Sequence, residues 1–506
     1  MHIGIDIGTS SVKAVAMGKQ GKAQVLNQIT YSIFSLQAGF QEQNPDEIWQ
    51  ATWKMISEIK MEVTSICFSS AMHSLMAVNA QGEPLTNLIT WADSRAKNIA
   101  DDLRNSDLGR EIYRQTGTAI HPMSPLCKLL WFKENQPEML AKAHKWIGIK
   151  EYIFFRLFGK YLIDYSIASA TGLFDVFNLK WNRKSLEIIG LTEDKLSTPV
   201  PTTTLLFVSS QPTSSTPLSS PLFVFSQTTP PLSVGTQTIA KSAFIIGASD
   251  GSLANLGSGA FSEGEIAATI GTSGAIRMTS AHPQTDAQMR TFCYYTDDNQ
   301  YIIGGAINNG GIILQWLYED FSGFKAKGES IEQLFALAAQ VPAGAEGLIF
   351  LPYLFGERAP IWDANAKGVF FGIQKHHTQA HFFRAVLEGV MFALYSVGKV
   401  FENEEFTKKQ EKVIYATGGF TKTDFWVQML ADIFNQKVVV PDSSEGTAIG
   451  ACILAMKALG EIKGLSEARH LIKTEKTFLP NQEKYHLYKK NFEVFEKLYQ
   501  ALKTIF

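Results

Sequence analysis

The sequence has few cysteines, little net charge and no long apolar run. Its 506 residues include only four cysteines, Cys67, Cys127, Cys293 and Cys452. They stand alone without metal-binding spacing, which excludes a disulfide framework and predicts reduced cysteines in packed positions. The net charge of −2 argues against a nucleic acid or an anionic membrane as partner. Without an apolar run of about 18 residues or a leading signal peptide, we expect no membrane partner and a cytoplasmic location.

The length exceeds what one hydrophobic core usually covers, so two domains are expected, each able to bury a sizeable core. Hydrophobic residues make up 45% of the chain and charged residues 19%, which is ordinary for a globular protein. What the sequence does contain is a set of glycine-rich and hydroxyl-rich segments at the ends of predicted strands. These segments point to its function.

A β-hairpin with a phosphate-binding turn is predicted at Ile3–Val15, because apolar residues alternate along its first strand. The turn consists of Gly8, Thr9, Ser10 and Ser11. Gly8 leaves room for an anion, while backbone N–H groups and hydroxyls act as donors. Asp6 is placed to bind a phosphate-bound Mg²⁺, which prefers oxygen ligands, and Lys13 adds a cation. Taken alone, the pattern also fits a plain surface turn.

The same pattern recurs about half a chain length later. Residues Ala267–Arg277 repeat Ile–Gly–Thr–Ser, with Gly271, Thr272 and Ser273 in the turn. A period this long indicates duplicated domains, and two such hairpins could grip one polyphosphate. Thr269 stands where the first copy has Asp6, so only the first copy offers a carboxylate for a metal.

Candidate binding residues also follow two predicted strands of the first half, Val63–Phe68 and Asn87–Thr90. They are Met72, His73, Trp91, Asp93 and Arg95. Ligands bind at the carboxyl ends of strands in open α/β sheets, so these residues are candidates for substrate binding. Tryptophan stacks on sugars, and the charged pair can bind hydroxyls or a carboxylate. The alternative is a helix cap at Asp93 with Arg95 on the surface.

Three further segments of the first half stand out. Lys128 lies within the very apolar helix predicted at Pro125–Phe132, where it either extends to the surface or has a function. Asp164–Phe174 is a run of small and polar residues that suits a loop lining a cleft. Residues 202–238 are rich in serine, threonine and proline, which predicts a poorly structured surface excursion or interdomain connector.

In the second half, the predicted strand Phe244–Ile246 leads to Asp250, which is flanked by Gly247, Gly251 and other small residues. These neighbours would let backbone and substrate approach closely, so Asp250 is a candidate functional residue. The alternative is that Asp250 only caps the following helix.

Glycine-rich turns that could accept a nucleotide, or simply reverse the chain, follow further on. The candidate residues around them are Gly311, Gln315, Gly418, Gly419 and Thr423. The last predicted helix carries an aromatic stripe from Tyr485 to Phe506, which fits either docking onto the core or a homodimer.

Together these residues resemble the FGGY carbohydrate kinases, a family with an α/β, two-domain, duplicated ribonuclease H-like fold. Actin, hexokinase and the Hsp70 ATPase share this fold, which has a cleft between the domains. The similarity is carried by the first hairpin, Met72–His73, Trp91–Arg95, Gly247–Asp250, Gly271–Ser273 and Gly418–Gly419. Within the family, the gluconate kinases are most similar, at 69–74, 121–125, 164–174 and 356–363.

The resemblance implies a sugar-binding domain at 1–246 and a nucleotide-binding domain at 247–506. It implies ATP and Mg²⁺ as cofactors, with Asp250 as the general base and as a second metal ligand beside Asp6. It places Met72 and His73 on the sugar. It implies that the phosphates and the nucleotide are bound by Thr9, Thr272 and the candidates Gly311, Gln315, Gly418, Gly419 and Thr423.

The implied reaction is phosphorylation of D-gluconate to 6-phosphogluconate, and Arg95 and Lys128 are the cations considered for the carboxylate. A kinase for xylulose or another sugar or polyol is the alternative. A non-catalytic sensor is disfavoured by Asp250 together with two intact hairpins, and an Hsp70-like chaperone by the lack of a peptide-binding domain.

Overall fold

The computed structural model describes residues 1–207, 242–402, 412–443 and 445–506. The chain divides into two compact units. The first comprises Met1–Gly257, Ser280–Ile302 and Glu445–Ile472, and the second comprises Ser258–Thr279, Ile303–Ser444 and Lys473–Phe506. These units differ from the predicted division after residue 246, since two late segments belong to the first unit. Asp250 therefore lies in the same unit as Asp6.

The elements of the first half are runs of short strands and helices. The strands are β1 His2–Ile7, β2 Ser11–Met17, β3 Ala23–Thr30, β4 Glu42–Gln43, β5 Ser65–Ser70, β6 Met76–Val78, β7 Leu88–Ile89, β8 Lys145–Ile147, β9 Leu162–Asp164, β10 Phe174–Asp175, β11 Lys180–Trp181, β12 Thr198–Val200, β13 Leu205–Phe207 and β14 Ala243–Ser249. The helices are α1 Pro45–Ser57, α2 Lys97–Asn105, α3 Asp107–Thr116, α4 Pro125–Asn135, α5 Pro137–Lys142, α6 Ile149–Phe158, α7 Tyr165–Ser169, α8 Arg183–Ile189 and α9 Asp250–Ser258.

The second half continues in the same way. Its strands are β15 Ile266–Ile270, β16 Gly274–Ser280, β17 Phe292–Asp297, β18 Gln300–Ile307, β19 Ile349–Leu351, β20 Val369–Phe371, β21 Val413–Thr417, β22 Lys437–Pro441 and β23 Thr474–Phe478. Its helices are α10 Gly311–Trp316, α11 Phe324–Lys327, α12 Ile331–Gln340, α13 Gln379–Gly398, α14 Asp424–Phe434, α15 Gly446–Ala458 and α16 Gln482–Leu502.

The main sheet of the first unit has the order β13-β14-β5-β1-β2-β3. The predicted hairpin is confirmed, since β1 and β2 pair antiparallel with Asp6 opposite Lys13. Strand β1 also runs parallel to β5, and β5 runs parallel to β14. The carboxyl ends of these three parallel strands therefore meet at one edge of the sheet.

A second sheet has the order β17-β18-β16-β15-β21-β22-β23. Its hairpin of β15 and β16 is antiparallel, β15 runs parallel to β21, and β21 runs parallel to β22, with β23 antiparallel at the end. The six strands from β18 to β23 follow the same order as the first sheet when that sheet is read from β3 to β13. In this comparison the hairpin of β15 and β16 corresponds to that of β1 and β2. The duplication predicted from the repeated Ile–Gly–Thr–Ser pattern is thus present in the topology.

The first sheet is covered on both faces. Successive residues of β1 point to opposite faces of the sheet, so each face can be examined separately. Ile3, Ile5 and Ile7 enter a core that also holds Ile48 and Trp49 of α1. Gly4 points the other way, toward α15, and a Cβ there would lie 2.1 Å from the carbonyl oxygen of Ala448. Helix α15 therefore packs directly against the backbone of β1.

Glycines also bring α15 close to α9. A Cβ on Gly257 would lie 1.7 Å from the carbonyl oxygen of Gly446, and one on Gly450 would lie 2.0 Å from that of Leu253. Larger side chains would push the helices apart. The small residues thus fix α9, which begins at Asp250, against the first turns of α15.

Helix α13 forms the centre of the second unit. In the described ranges, Gln379–Glu402 is the one segment long and apolar enough to span a membrane, and most of it is buried inside the protein. Its Arg384 donates to Glu388 at 2.5 Å and to the Tyr488 hydroxyl at 2.6 Å. A paired charge and a buried surface are typical of a core helix.

The aromatic stripe of the last helix packs into the core of the second unit. Tyr488, Phe492, Phe495 and Tyr499 of α16 are buried. The Phe392 ring of α13 lies 5.8 Å from that of Phe492 and 5.6 Å from that of Phe495. Packing into the core therefore explains the stripe, and the stripe gives no support to the homodimer alternative.

Two predictions about irregular segments need correction. The predicted loop at Asp164–Phe174 is wrong, because Tyr165–Ser169 is a helix capped by Asp164, whose Oδ1 accepts the Ile167 N–H at 2.9 Å. In the serine- and proline-rich stretch 202–238, residues 208–238 lie outside the described residues. Its beginning is ordered, since Leu205–Phe207 pairs antiparallel with β14.

Candidate active site

Two carboxylates meet at the edge where the parallel strands of the first unit end. The register places Asp6 beside Ser69 and Ser249 beside Ser70, so Asp250 follows at the same edge. Burial raises the pKa of Asp6 to about 6, and the neighbouring charge of Asp250 contributes to this rise. The two acids, which the sequence pointed to separately, therefore lie close together.

The surroundings of Asp6 suit a hard cation. Its Oδ1 atom is buried and has no hydrogen-bond partner within the described residues. Lys13, opposite on β2, pairs with Glu445 at 2.9 Å. No group of three His, Cys, Asp or Glu side chains in the described ranges could hold a metal. Magnesium, which takes one or two carboxylates and otherwise phosphate and water, fits such a sparse set.

Asp250 does not cap helix α9. That role belongs to Ser249, whose Oγ accepts the Ser252 N–H at 3.3 Å. Asp250 stands at the first helical position, and its Oδ1 accepts the N–H of Gly251 at 2.7 Å. The helix-cap alternative for Asp250 is therefore wrong.

Gly247 produces a bulge in the strand that leads to Asp250. Its φ is +77°, and the register between β14 and β5 shifts between Ile245 and Ala248. A Cβ on Gly247 would lie 1.7 Å from the carbonyl oxygen of Phe68. The glycine thus lets strand β5 approach, and the bulge sets the direction in which Asp250 leaves the sheet.

A buried lysine that was not foreseen from the sequence supports the same segment. Lys150, at the start of α6, donates to the Ala248 carbonyl at 3.0 Å and pairs with Asp164 at 2.7 Å. Like Lys128, it lies in a helix start rich in apolar residues. This position was the signal in the sequence that could have identified it. Both ends of this pair are buried, so it holds the backbone just before Asp250.

The turn of the first hairpin is held from several sides. The Gly8 N–H donates to the Ser11 carbonyl at 2.9 Å, so this donor closes the turn and is not available to an anion. The hydroxyl of Tyr31 donates to the Gly8 carbonyl, and Ser10 is exposed at the tip. Anion binding here depends on the other predicted donors of the turn.

Thr9 connects the hairpin to the segments that contain Gln43 and Trp91. Its carbonyl accepts from Nε2 of Gln43 at 2.8 Å, and its Oγ1 accepts the indole N–H of Trp91 at 2.9 Å. Trp91 was predicted as a sugar-stacking residue, and its indole edge is fixed by the turn of the first hairpin. Gln43 was not foreseen, because nothing in its local sequence marks it.

Asp93 and Arg95 bind each other. Arg95 donates through Nε to Asp93 Oδ1 and through Nη2 to Oδ2, both at 2.9 Å, and it also pairs with Glu42. The Gln41 N–H donates to Asp93 at 2.8 Å, and the guanidinium carbon lies 3.9 Å from the Phe40 ring centroid. Both side chains are nearly buried.

This arrangement corrects the helix-cap interpretation of the segment and leaves substrate binding by the pair a prediction. Helix α2 begins at Lys97 with Ala96 at its N-cap position, so Asp93 is not a helix cap and Arg95 is not on the surface. The predicted direct binding of substrate by the pair is not what the contacts favour. They favour a structural role that anchors the loop before β4.

His73 has a constrained backbone. Its φ is +67°, its Nδ1 donates to the Ala170 carbonyl at 2.8 Å, and its ring lies 6.0 Å from that of Tyr294. Met72 is half-buried and packs against Tyr294 and its neighbours.

Lys128 does not extend to the surface, since its side chain is fully buried and its Nζ bonds to backbone carbonyls.

Three glycine turns meet in the second unit. The Gly271 N–H closes its own turn onto Ser273 at 2.9 Å, and the Gly271 carbonyl accepts the Gly311 N–H at 2.7 Å. The Ile312 N–H donates to the Thr272 carbonyl at 3.0 Å. A Cβ on Gly418, where φ is +100°, would lie 2.5 Å from the carbonyl oxygen of Ile270, whereas Gly419 has open space around its Cα.

The remaining candidates of the second unit lie around these turns. Gln315 is exposed on α10, with Nε2 3.4 Å from Glu319. Thr423 precedes α14 at the N-cap position, where its side chain makes no capping hydrogen bond. Thr269, the counterpart of Asp6, bonds to the hydroxyl of Thr417 at 2.9 Å. The second unit thus offers backbone and hydroxyl groups where the first offers carboxylates.

A duplicated fold with a hairpin in each unit, two acids and glycine turns is typical of the ATP-dependent enzymes that share the fold of hexokinase and actin. Residues 1–214 match the N-terminal domain of the FGGY family of carbohydrate kinases, and residues 266–459 match its C-terminal domain. This chain therefore belongs to the FGGY family, and it is a carbohydrate kinase.

Relatives and solved structures agree with this assignment. The chain is 41% identical to a gluconokinase from Bacillus licheniformis, over 99% of this chain and 96% of the relative. The structure of a xylulose kinase from Lactobacillus acidophilus matches with a TM-score of 0.89 and 36% identity, over 99% of this chain and 98% of that one. A gluconate kinase from the same organism gives 0.88 and 35%, with the same coverage.

Proposed function

We propose that this carbohydrate kinase phosphorylates D-gluconate to 6-phosphogluconate with ATP and Mg²⁺, in the cytoplasm. The observation that carries the kinase chemistry is the pair Asp6 and Asp250 at one strand edge, beside the segment of His73. The choice of gluconate is supported by the 41% identity to a gluconokinase over nearly the whole chain.

Each group has a distinct part in the proposed reaction. Asp250 accepts the proton of the attacking hydroxyl, because phosphoryl transfer otherwise needs mainly positioning and charge stabilisation. Asp6 holds Mg²⁺, with Asp250 as second candidate ligand, and the ion neutralises phosphate charge when bound. Met72, His73 and Trp91 contact the sugar.

The nucleotide belongs to the glycine turns of the second unit in this proposal. Open space at Gly419 lets a ligand approach the backbone, Gly311 and Gly418 are proposed as neighbouring contacts, and Thr272 supplies a hydroxyl to a phosphate. The Thr9 turn and Lys13 supply further phosphate contacts in the first unit. Gln315 and Thr423 are the proposed side-chain contacts of the nucleotide.

The two cations considered for the gluconate carboxylate are engaged elsewhere. Arg95 is committed to Asp93 and Glu42, and Lys128 to backbone carbonyls. Their positive charge therefore does not separate gluconate from xylulose, and the preference for gluconate rests on the relatives.

Substrate preference is the direct test of this proposal. We expect kcat/KM for gluconate to exceed that for xylulose, ribulose and glycerol by at least about tenfold, a modest discrimination for a polar site. A coupled ADP-release assay across the four compounds measures this. A preference for xylulose would replace gluconate with the alternative and keep the kinase assignment, whereas no turnover of any sugar or polyol would refute the reaction.

Asp6→Asn tests the proposed metal contact. We expect the Mg²⁺ concentration for half-maximal activity to rise by about tenfold or more, because the amide lacks the negative charge that binds the ion. Magnesium titration of ADP release measures this. Asp102→Asn, the same change at an exposed position of α2, is the control and should match the wild type. An unchanged magnesium requirement in Asp6→Asn would remove Asp6 from the metal site.

A further inference from the structure

We infer that Lys128 is a positioning residue that ties the segments of His73 and Trp91 together through their backbone, without touching the sugar. The inference rests on the proposed function, in which these two segments bind the substrate. It assigns to Lys128 a different part from the direct substrate contact that the sequence suggested.

The contacts of the ammonium group carry this inference. Nζ of Lys128 lies 2.6 Å from the carbonyl oxygen of His73, 2.7 Å from that of Thr90 and 3.5 Å from that of Ile89. Thr90 directly precedes Trp91, so one cation bonds to both substrate-side segments. An ammonium group has three N–H donors, and these three carbonyls account for them.

The segments themselves have little regular structure to hold them. His73 follows β5 with φ of +67°, a conformation that a non-glycine residue keeps only when its surroundings enforce it. Trp91 follows β7, which is two residues long. A fixed external bond to each carbonyl therefore limits the movement of both segments.

Helix α4 gives Lys128 a rigid base. The helix starts with Pro125, and the Oγ of Ser124 accepts the Cys127 N–H at 3.4 Å. Burial of its neighbours Leu126, Cys127 and Leu129 prevents the helix from shifting. The lysine thus transmits the position of a packed helix to two loops.

The charge of Lys128 is sensitive to pH near neutrality. Burial lowers the pKa of Lys128 to about 7, Asp93 opposes this shift, and Arg95 adds to it. Cys127 on the same helix and the ring of His73 are the other titratable groups nearby. Deprotonation leaves a neutral amine with two N–H donors for three carbonyls, so the bonds weaken as the pH rises through this range.

Lys128→Met removes the bonds while nearly keeping the volume. We expect KM for the sugar to rise by about tenfold or more, because bonds to a charged group are lost, while kcat stays within about threefold and KM for ATP is unchanged. Lys128→Gln, which restores two N–H donors, should lie between this variant and the wild type, and it carries the test if the methionine variant fails to fold.

The same helix provides a matched control. Lys133 is exposed, and its Nζ also donates to a backbone carbonyl, that of Ile188, at 2.5 Å. Lys133→Met therefore removes the same kind of bond away from the site and should keep the wild-type KM. The wild type should also lose sugar affinity as the pH rises from about 6 to about 8.5, and Lys128→Met should not. Asp93, Arg95, Cys127 and His73 are present in both proteins, so the difference isolates the lysine.

Hydrogen exchange separates this inference from the proposed reaction. In Lys128→Met, amide exchange should accelerate at 71–75 and 90–95 and stay unchanged elsewhere in the first unit. An unchanged sugar KM together with unchanged exchange at both segments would overturn the inference. Uniform acceleration, or a fall in kcat without a change in KM, would also overturn it. If the wild type phosphorylates no sugar, the proposed function fails, and the exchange pattern still decides the role of Lys128.

Discussion

Asp250→Asn is expected to lower turnover by about 10²–10⁴-fold, the usual contribution of a general base. The amide cannot accept the proton of the sugar hydroxyl, while its size and its bond to the Gly251 N–H can be kept. Folding should survive, because Ser249 caps helix α9 and Asp250 does not. The variant should bind ATP with nearly unchanged affinity, since Asp250 is not among the proposed nucleotide and phosphate contacts.

Two measurements decide this prediction. The rate of ADP release with saturating gluconate gives kcat, and calorimetry gives the affinity for ATP. Asp102→Asn is the control for loss of one carboxylate and should keep the wild-type rate. A folded, ATP-binding Asp250→Asn variant with more than about a tenth of the normal turnover would exclude Asp250 as the base.

The second large effect is expected from Gly247→Ala. A Cβ at this position meets the carbonyl oxygen of Phe68 at 1.7 Å, and the residue has φ of +77°. Steric overlap with backbone and an unfavourable φ should together lower the free energy of unfolding by at least about 3 kcal/mol. Because the bulge precedes Asp250 by three residues, activity should fall in any folded fraction.

Gly190→Ala provides the matched control. Gly190 ends helix α8 in the same unit with φ of +86°, and a Cβ added there would meet no atom within 4 Å. Its alanine variant should lose only about 1 kcal/mol, the cost of the backbone conformation alone. Urea unfolding of both variants measures the difference. Equal stability losses would mean that contact with β5 is not what requires glycine at 247.

Local patterns were sufficient to predict the elements that carry the site. The alternation in β1 and the glycine after it identified the first hairpin, and its repetition identified the second. The position of Asp250 after a buried strand identified it as a candidate, but its place beside Asp6 follows only from the register of β1, β5 and β14 in the structure. Helix α1 begins at Pro45 with Asn44 as its cap, a residue type that favours a helix start.

Local sequence patterns could not predict which residues distant in sequence contact each other. Whether Arg95 faces a ligand or Asp93, and whether Lys128 reaches water or a carbonyl, depends on segments distant in sequence. A buried lysine among apolar residues signals a function without naming it, as Lys128 and Lys150 both show. The predicted domain boundary assumed that each domain is one continuous stretch of chain. In the structure the late segment Glu445–Ile472 belongs to the first unit.

That return has a consequence for the order of folding. Helix α15 covers the face of β1 at Gly4, yet it is synthesised more than 400 residues after this strand. During translation the first sheet must wait with that face uncovered until nearly the whole chain has left the ribosome. The loop that closes is among the longest the chain allows, so this contact forms late and slowly. The unit that begins the protein is therefore completed almost last.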